Sequence, residues 1–267
     1  MKNVLLMVHA DAGLEGRFQA ALDLTRALSG HLTCVDVFVP QIVPDGFYMG
    51  LDSASAMVAQ CAVDYDHGAA LKHRLEHEGV PWDWIDATGG LPPRITDEAG
   101  LADVIVSSLP ANHLFDPDLP RVTTNLALAN NQPVLAVPVS SRGITWCGRA
   151  LIAWDGSPAA MAALRASVPM LALASDVELF EVDDRTAGAT AEAAAQYLSR
   201  HGIVSTIERI HSLHRPTAEL ILGRAKAIAA DYIVIGAYGH NRTRELFFGG
   251  VTRSMMHTSP LPLVLAH

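Results

Sequence analysis

The chain has 267 residues, half of them hydrophobic and 18% charged, with a formal net charge of −9. Such a composition describes a globular protein with material for one large core or two of ordinary size, and excludes a disordered chain. The acidic balance argues against a general binder of nucleic acid or anionic membranes, whose footprint is basic.

MKNVLLMVHADAG opens the chain with one Lys and an apolar run too short for a secretory core, so 4–9 is expected to be a first strand. No stretch reaches the length needed to span a bilayer, and a cytoplasmic protein is expected. HLTCVDVFVP (31–40) is strand-like, and QIVPDGFYMGLDSASAM (41–57) reads as a surface loop or flap. DHGAALKHRLEHEG (66–79) is helical, and LADVIVS (101–107) and QPVLAVP (132–138) are strands. The cysteines Cys34, Cys61 and Cys147 lack CxxC spacing. They read as small buried hydrophobes in a reducing compartment.

The same order of elements then returns. VLLMVH (4–9) resembles ALIAWD (150–155), LADVIVS resembles AADYIVIG (229–236), and QPVLAVP resembles LPLVLAH (261–267). Two domains are expected, 1–141 and 148–267, joined near SSRGITWCGR (140–149). In the second the expected strands are 150–155, 176–183, 203–210, 231–236 and 261–266, and the expected helices are 158–173, 188–201 and 216–229. Continuous apolar runs imply strands buried on both faces, hence α/β domains with helices on each side of a mostly parallel sheet. Right-handed crossovers make each doubly wound, with ligands beyond the carboxyl ends of the strands. WDGSPAA (154–160) places Asp155 at such an end, with Ser157 capping the next helix and Pro158 at its first position.

GAYGHNRTRELFFGGVT (236–252) follows the buried run DYIVI. Gly236 and Gly239 suit a tight turn whose N–H groups face an anion, and Gly249 and Gly250 precede a short helix whose N-terminus adds donors. His240, Arg242, Arg244 and Arg253 make the segment locally basic, and Thr252 offers a hydroxyl. The pattern favours a phosphate. The plainer alternative is that the glycines only allow close helix–sheet packing.

Gly-x-x-Gly, nine residues, then Gly, set after a strand, resembles the universal stress proteins. The segment ALIAWDGSPAAMAAL (150–164) strengthens the resemblance. It implies two tandem doubly wound five-stranded parallel-sheet domains of the adenine nucleotide alpha hydrolase-like type, packed as an intrachain pseudo-dimer through their terminal strands. It also implies that Asp155 contacts the adenosine moiety and that Val182 lines the base. Gly236, Gly239, Gly249, Gly250, Val251 and Thr252 would then hold the phosphates of ATP or another adenine nucleotide, with or without magnesium. The family's Ser or Thr after the third glycine is Gly250 here, so one hydroxyl contact is missing.

The first half is an internal control. Ser108, Ala111, Arg121 and Val122 stand where the second half has its four glycines, and His9 stands at the position of Asp155. Its insert DPDLP (116–120) is acidic, so this half is expected to be a structural partner or to bind something else. HRLEH (73–77) matches an inverted zinc-protease pattern, yet a solvated helix face is the favoured reading. HSLH (211–214) reads as a solvated loop. There is no nucleophile elbow or Walker loop, and no acidic constellation that plainly holds magnesium, so no catalytic residue and no resident metal are expected. The expected role is a stress-response sensor binding an adenine nucleotide with little or no turnover. The alternatives are an interaction scaffold that binds no nucleotide, and a slow nucleotide hydrolase. Pairing between two chains and the identity of any protein partner are left open.

Overall fold

A computed structural model describes residues 1–38, 68–109, 119–183, 188–237 and 250–267. The loop expected at 41–57, together with Cys61, Gly239 and Gly249, lies outside the described residues. The first half runs β1 (Asn3–Val8), α1 (Leu14–Leu28), β2 (His31–Phe38), α2 (68–75), β3 (Trp82–Thr88), α3 (Leu91–Glu98), β4 (Val104–Ser108), α4 (Leu119–Ala129) and β5 (Val134–Val137). The second repeats it as β6 (Arg149–Trp154), α5 (Pro158–Leu171), β7 (Asp176–Val182), α6 (Ala191–Arg200), β8 (Ser205–Ile210), α7 (Thr217–Ala227), β9 (Tyr232–Gly236), α8 (Gly250–Thr258) and β10 (Leu263–Ala266). The bounds of the second half's expected elements move by three residues at most. β3 has no counterpart among the expected strands, because Trp82, Asp83, Trp84, Ile85 and Asp86 form no apolar run.

All ten strands form one sheet, in the order β3-β2-β1-β4-β5-β10-β9-β6-β7-β8. Each half contributes the same doubly wound order, with parallel pairing inside it. β5 and β10 join the halves antiparallel, with Leu263 opposite Ala136, Val264 opposite Leu135 and Leu265 opposite Val134. Two edges that would each need a partner thus satisfy one another. The two five-stranded half-sheets meet through their terminal strands, as expected, and form one continuous layer.

Alternation along the strands divides the core. Val4, Leu6 and Val8 face one side with Phe18 and Leu22 of α1, Leu71 and Leu75 of α2, Ala163 of α5 and Leu198 of α6. Leu5 and Met7 face the other with Ile95 of α3, Leu126 of α4, Ile221 of α7 and Met255 of α8. Each fully buried aliphatic side chain contributes roughly 1.5–3 kcal/mol relative to exposure, so the sheet's interior dominates stability. The segment between the halves is packed as well. Ile144 donates its N–H to Asp23 on α1 at 2.9 Å, and the buried Trp146 ring lies 4.9 Å from that of Tyr232 on β9. Among the described residues no helix is long and apolar enough to cross a membrane.

The cysteines divide. Cys34 is buried in β2, where desolvation, then the nearby Asp36 charge, pushes its thiol up to about 12. Cys147 is exposed, which corrects its expected burial, because it sits on the surface turn that returns the chain to β6. Only the thiolate is nucleophilic, so an accessible thiol is the one that reacts. A maleimide applied to the native protein is expected to modify Cys147 and spare Cys34, as read by peptide mass spectrometry.

Candidate functional site in the C-terminal half

The residues at the carboxyl end of β6 set the first wall. Trp154 ends the strand, and Gly156 turns the chain with φ of +71°. A Cβ at Gly156 would come 2.6 Å from the Ala189 carbonyl oxygen, so glycine is required there for both conformation and space. Asp155 accepts the Ser157 N–H at 3.0 Å, and Ser157 Oγ in turn accepts the Ala160 N–H at 3.1 Å. Ser157 is thus the expected cap of α5, with Pro158 as its first residue. Trp154 Nε1 donates to the Ala189 carbonyl at 3.1 Å, which braces the turn against the segment after β7.

Beside this turn lies a cavity of about 250 Å³. Asp155, Val182, Gly236, Gly250, Val251 and Thr252 all line it. They come from the ends of β6, β7 and β9 and from the first turn of α8, which the strand order makes neighbours. Its apolar lining comprises Phe180, Val182, Ile221, Ile235 and Val251. Asp155, Ser157, Thr217 and Thr252 supply polar groups. The first-turn amides of any α-helix lack intrahelical acceptors and carry the positive end of its dipole. In α8 the first-turn residues Gly250, Val251 and Thr252 border the cavity.

The two described glycines of the loop have different causes. A Cβ at Gly236 would lie 2.5 Å from the Ala160 nitrogen and 2.7 Å from the Ala159 carbonyl carbon, both backbone atoms of α5. Close helix–strand approach therefore accounts for Gly236. Around Gly250 a Cβ would meet nothing within 4 Å among the described residues. Thr252 is buried, and its hydroxyl donates to the Gly236 carbonyl at 3.2 Å. It therefore does not replace the donor missing at position 250, since its proton already ties α8 to β9.

Seven lining residues were not among the expected site residues: Ala153, Trp154, Ser157, Phe180, Thr217, Ile221 and Ile235. Phe180 follows from Val182 by the period of two along β7, and Thr217 and Ile221 are one helical turn apart. The HSLH loop is exposed at His211, Leu213 and His214, and Leu213 and His214 hold φ of 46° and 69°. Ser212 N–H donates to Asp183 at 2.8 Å, anchoring that loop beside the end of β7.

The first half fills the corresponding place with its own side chain. Arg17 of α1 is 0% exposed and lies between the ends of β1 and β4. Its Nε donates to the Met7 carbonyl at 2.8 Å, and its Nη1 donates to Asp11 at 2.7 Å and to Ser108 Oγ at 3.0 Å. Its Nη2 donates to the His9 carbonyl. Ser108 ends β4 as Gly236 ends β9, and His9 follows β1 as Asp155 follows β6. A guanidinium that makes four hydrogen bonds to the protein occupies this place.

Residues 165–267 match the model of the universal stress protein family, so the C-terminal half carries that family's signature. The whole chain shares the fold of a universal stress protein from Archaeoglobus fulgidus DSM 4304, with a TM-score of 0.73 and 16% identity over 99% of this chain and 97% of that one. A functionally unknown protein from Pseudomonas aeruginosa PAO1 is similar at a TM-score of 0.62 and 17% identity, covering 99% of this chain and 92% of its own. No curated protein matches the chain in sequence. The C-terminal part thus matches the universal stress protein family, as the glycine spacing led one to expect, and the whole chain shares the α/β fold of these structures.

Two substitutions separate the glycines. Gly236→Ala is expected to destabilise by about 1–3 kcal/mol through overpacking against α5, whereas Gly250→Ala is expected to stay within about 0.5 kcal/mol of the parent. Urea unfolding of both variants measures the contrast. Arg17→Ala removes the buried cation from Asp11 and its hydrogen bonds to Ser108 and to the Met7 and His9 carbonyls, and a loss of about 3–5 kcal/mol is expected in the same assay.

Proposed function

We propose that the C-terminal half binds ATP or a related adenine nucleotide in this cavity, as a cytoplasmic stress-response sensor or regulatory module with little or no turnover. One observation carries the reading: six positions singled out for nucleotide contact border a single cavity. The apolar wall of Phe180, Val182 and Ile221 suits a base. The bordering first turn of α8 suits phosphate oxygens. Asp155 is the only carboxylate among the described lining residues, and one carboxylate suits a ribose hydroxyl better than it suits phosphoryl transfer. On this reading residues 1–141 form a partner domain, with Arg17 at the place of the cavity, and residues 148–267 form the binding domain. Magnesium, where present, would accompany the nucleotide.

Isothermal titration with ATP and AMP, with and without magnesium, tests this directly. Binding is expected for the parent chain, with a loss of roughly ten- to a hundred-fold in Asp155→Ala, the range for one hydrogen bond to a charged group. Gly250→Ser is expected to strengthen binding, because the new side chain meets none of the described residues and restores the family's hydroxyl. No heat and no thermal shift at high nucleotide concentration would end the proposal.

A second reading rests on the predominantly apolar wall and on the Thr252 hydroxyl already being engaged with Gly236. A small apolar ligand, held by an interaction scaffold, fits those features. Mass spectrometry of small molecules released from freshly purified, unfolded protein distinguishes the two, since co-purified adenylate and a co-purified apolar compound exclude one another as the occupant.

A further inference from the structure

We propose that His73, Glu76 and His77 form a site for a divalent transition metal, with Zn²⁺ as its occupant, separate from the cavity of the C-terminal half. The three residues sit at the carboxyl end of α2 and in the turn after it, over the β2–β3 side of the sheet. The cavity lies at β6, β7 and β9, on the other side of the β5–β10 junction.

The chain arranges the three groups locally. His73 and His77 are four residues apart, so a helical turn stacks them, and their ring centroids are 5.0 Å apart. Beyond α2 the chain continues to coil, with the His77 N–H on the Arg74 carbonyl at 2.9 Å and the Glu78 N–H on the Leu75 carbonyl at 3.2 Å. One ligand atom from each of His73, Glu76 and His77 lies within 4.8 Å of the others. On a tetrahedral ion with bonds of about 2.0–2.1 Å, ligand atoms are about 3.4 Å apart. All three side chains are exposed, so rotation about their own bonds closes the difference.

Two further features set this cluster apart from an ordinary solvated face. His77 Nδ1 lies 2.9 Å from the His73 carbonyl oxygen. A carbonyl only accepts, so Nδ1 carries the proton, and Nε2 of the neutral ring keeps its lone pair for a metal. That is the arrangement by which backbone carbonyls orient ligating imidazoles.

The flanking cations are also directed elsewhere. Lys72 lies 4.7 Å over the Trp84 ring and 3.4 Å from Asp86, and Arg74 binds Glu15 at 2.7 and 3.0 Å. Among the described residues no ion pair engages Glu76. Two imidazoles and a carboxylate suit Zn²⁺, whereas Mg²⁺ and Ca²⁺ favour oxygen ligands throughout. With three protein ligands the fourth position is open to water.

Titration calorimetry on the full chain, freed of metal by a chelator and then given ZnCl₂, tests the site. One equivalent of Zn²⁺ is expected to bind, and MgCl₂ at the same concentration is expected to give no heat. His73→Ala and His77→Ala should each weaken that equivalent at least ten-fold, and Glu76→Gln should weaken it less. Zn²⁺ should raise the melting temperature of the parent chain and not of the double histidine variant, since only a ligand of the native state stabilises it. Circular dichroism of the variants checks that their fold persists, as expected for exposed positions. Absence of Zn²⁺ binding by the parent, or binding unchanged in His73→Ala/His77→Ala, would overturn the proposal. Neither outcome depends on whether a nucleotide binds.

Discussion

The antiparallel contact between β5 and β10 is the constraint on which the architecture depends. Each is a four-residue strand buried throughout, and each lies at the end of its own half-sheet. Left open, such an edge presents unpaired N–H and C=O groups beside Val134, Leu135, Val264 and Leu265, a template for aggregation. Pairing them with each other removes both liabilities and fixes the relative placement of the halves. The remaining edges, β3 and β8, are of a different kind. They carry Asp83, Asp86, Glu208 and Arg209 and are only partly buried, and charge on an exposed edge discourages further strand addition.

Repetition of a fold has not meant repetition of its chemistry. Both halves have the strand order that opens a crevice between their first and fourth strands. In the first, Arg17 enters that crevice and satisfies the Met7 and His9 carbonyls, Asp11 and Ser108. In the second, α5 contributes no such side chain, and Gly236 lets the helix pack directly on the end of β9. The result is a cation sealed in one half and a bordered cavity in the other. A site is thus a property of a few side chains placed on the fold, and the fold alone does not supply it.

The glycines illustrate how one motif joins separate physical causes. Gly156 is needed for a left-handed turn against Ala189, Gly236 for contact with α5, and Gly250 for neither among the described residues, none of which comes within 4 Å of a Cβ there. Close packing explains Gly236 without any ligand, while the positions that border the cavity explain why the motif remains informative. Thr252 belongs to both accounts, as it lines the cavity and fastens α8 to the strand behind it.

The sequence by itself determined the elements of the second half, the repeat and the end of the sheet at which the cavity lies, because apolar periodicity and strand-end residues are local signals. It located Asp155, Ser157 as a cap, Val182, and the start of α8 near Gly250. It missed β3, whose alternating Trp and Asp suit a half-exposed edge and give no continuous apolar run. Only the tertiary structure decided the antiparallel register of β5 on β10, that Arg17 is buried, that Cys147 is exposed, and that the Thr252 proton goes to Gly236. Each of these depends on contacts between residues distant in the chain, and spacing along a sequence carries no information about which distant atom a side chain meets.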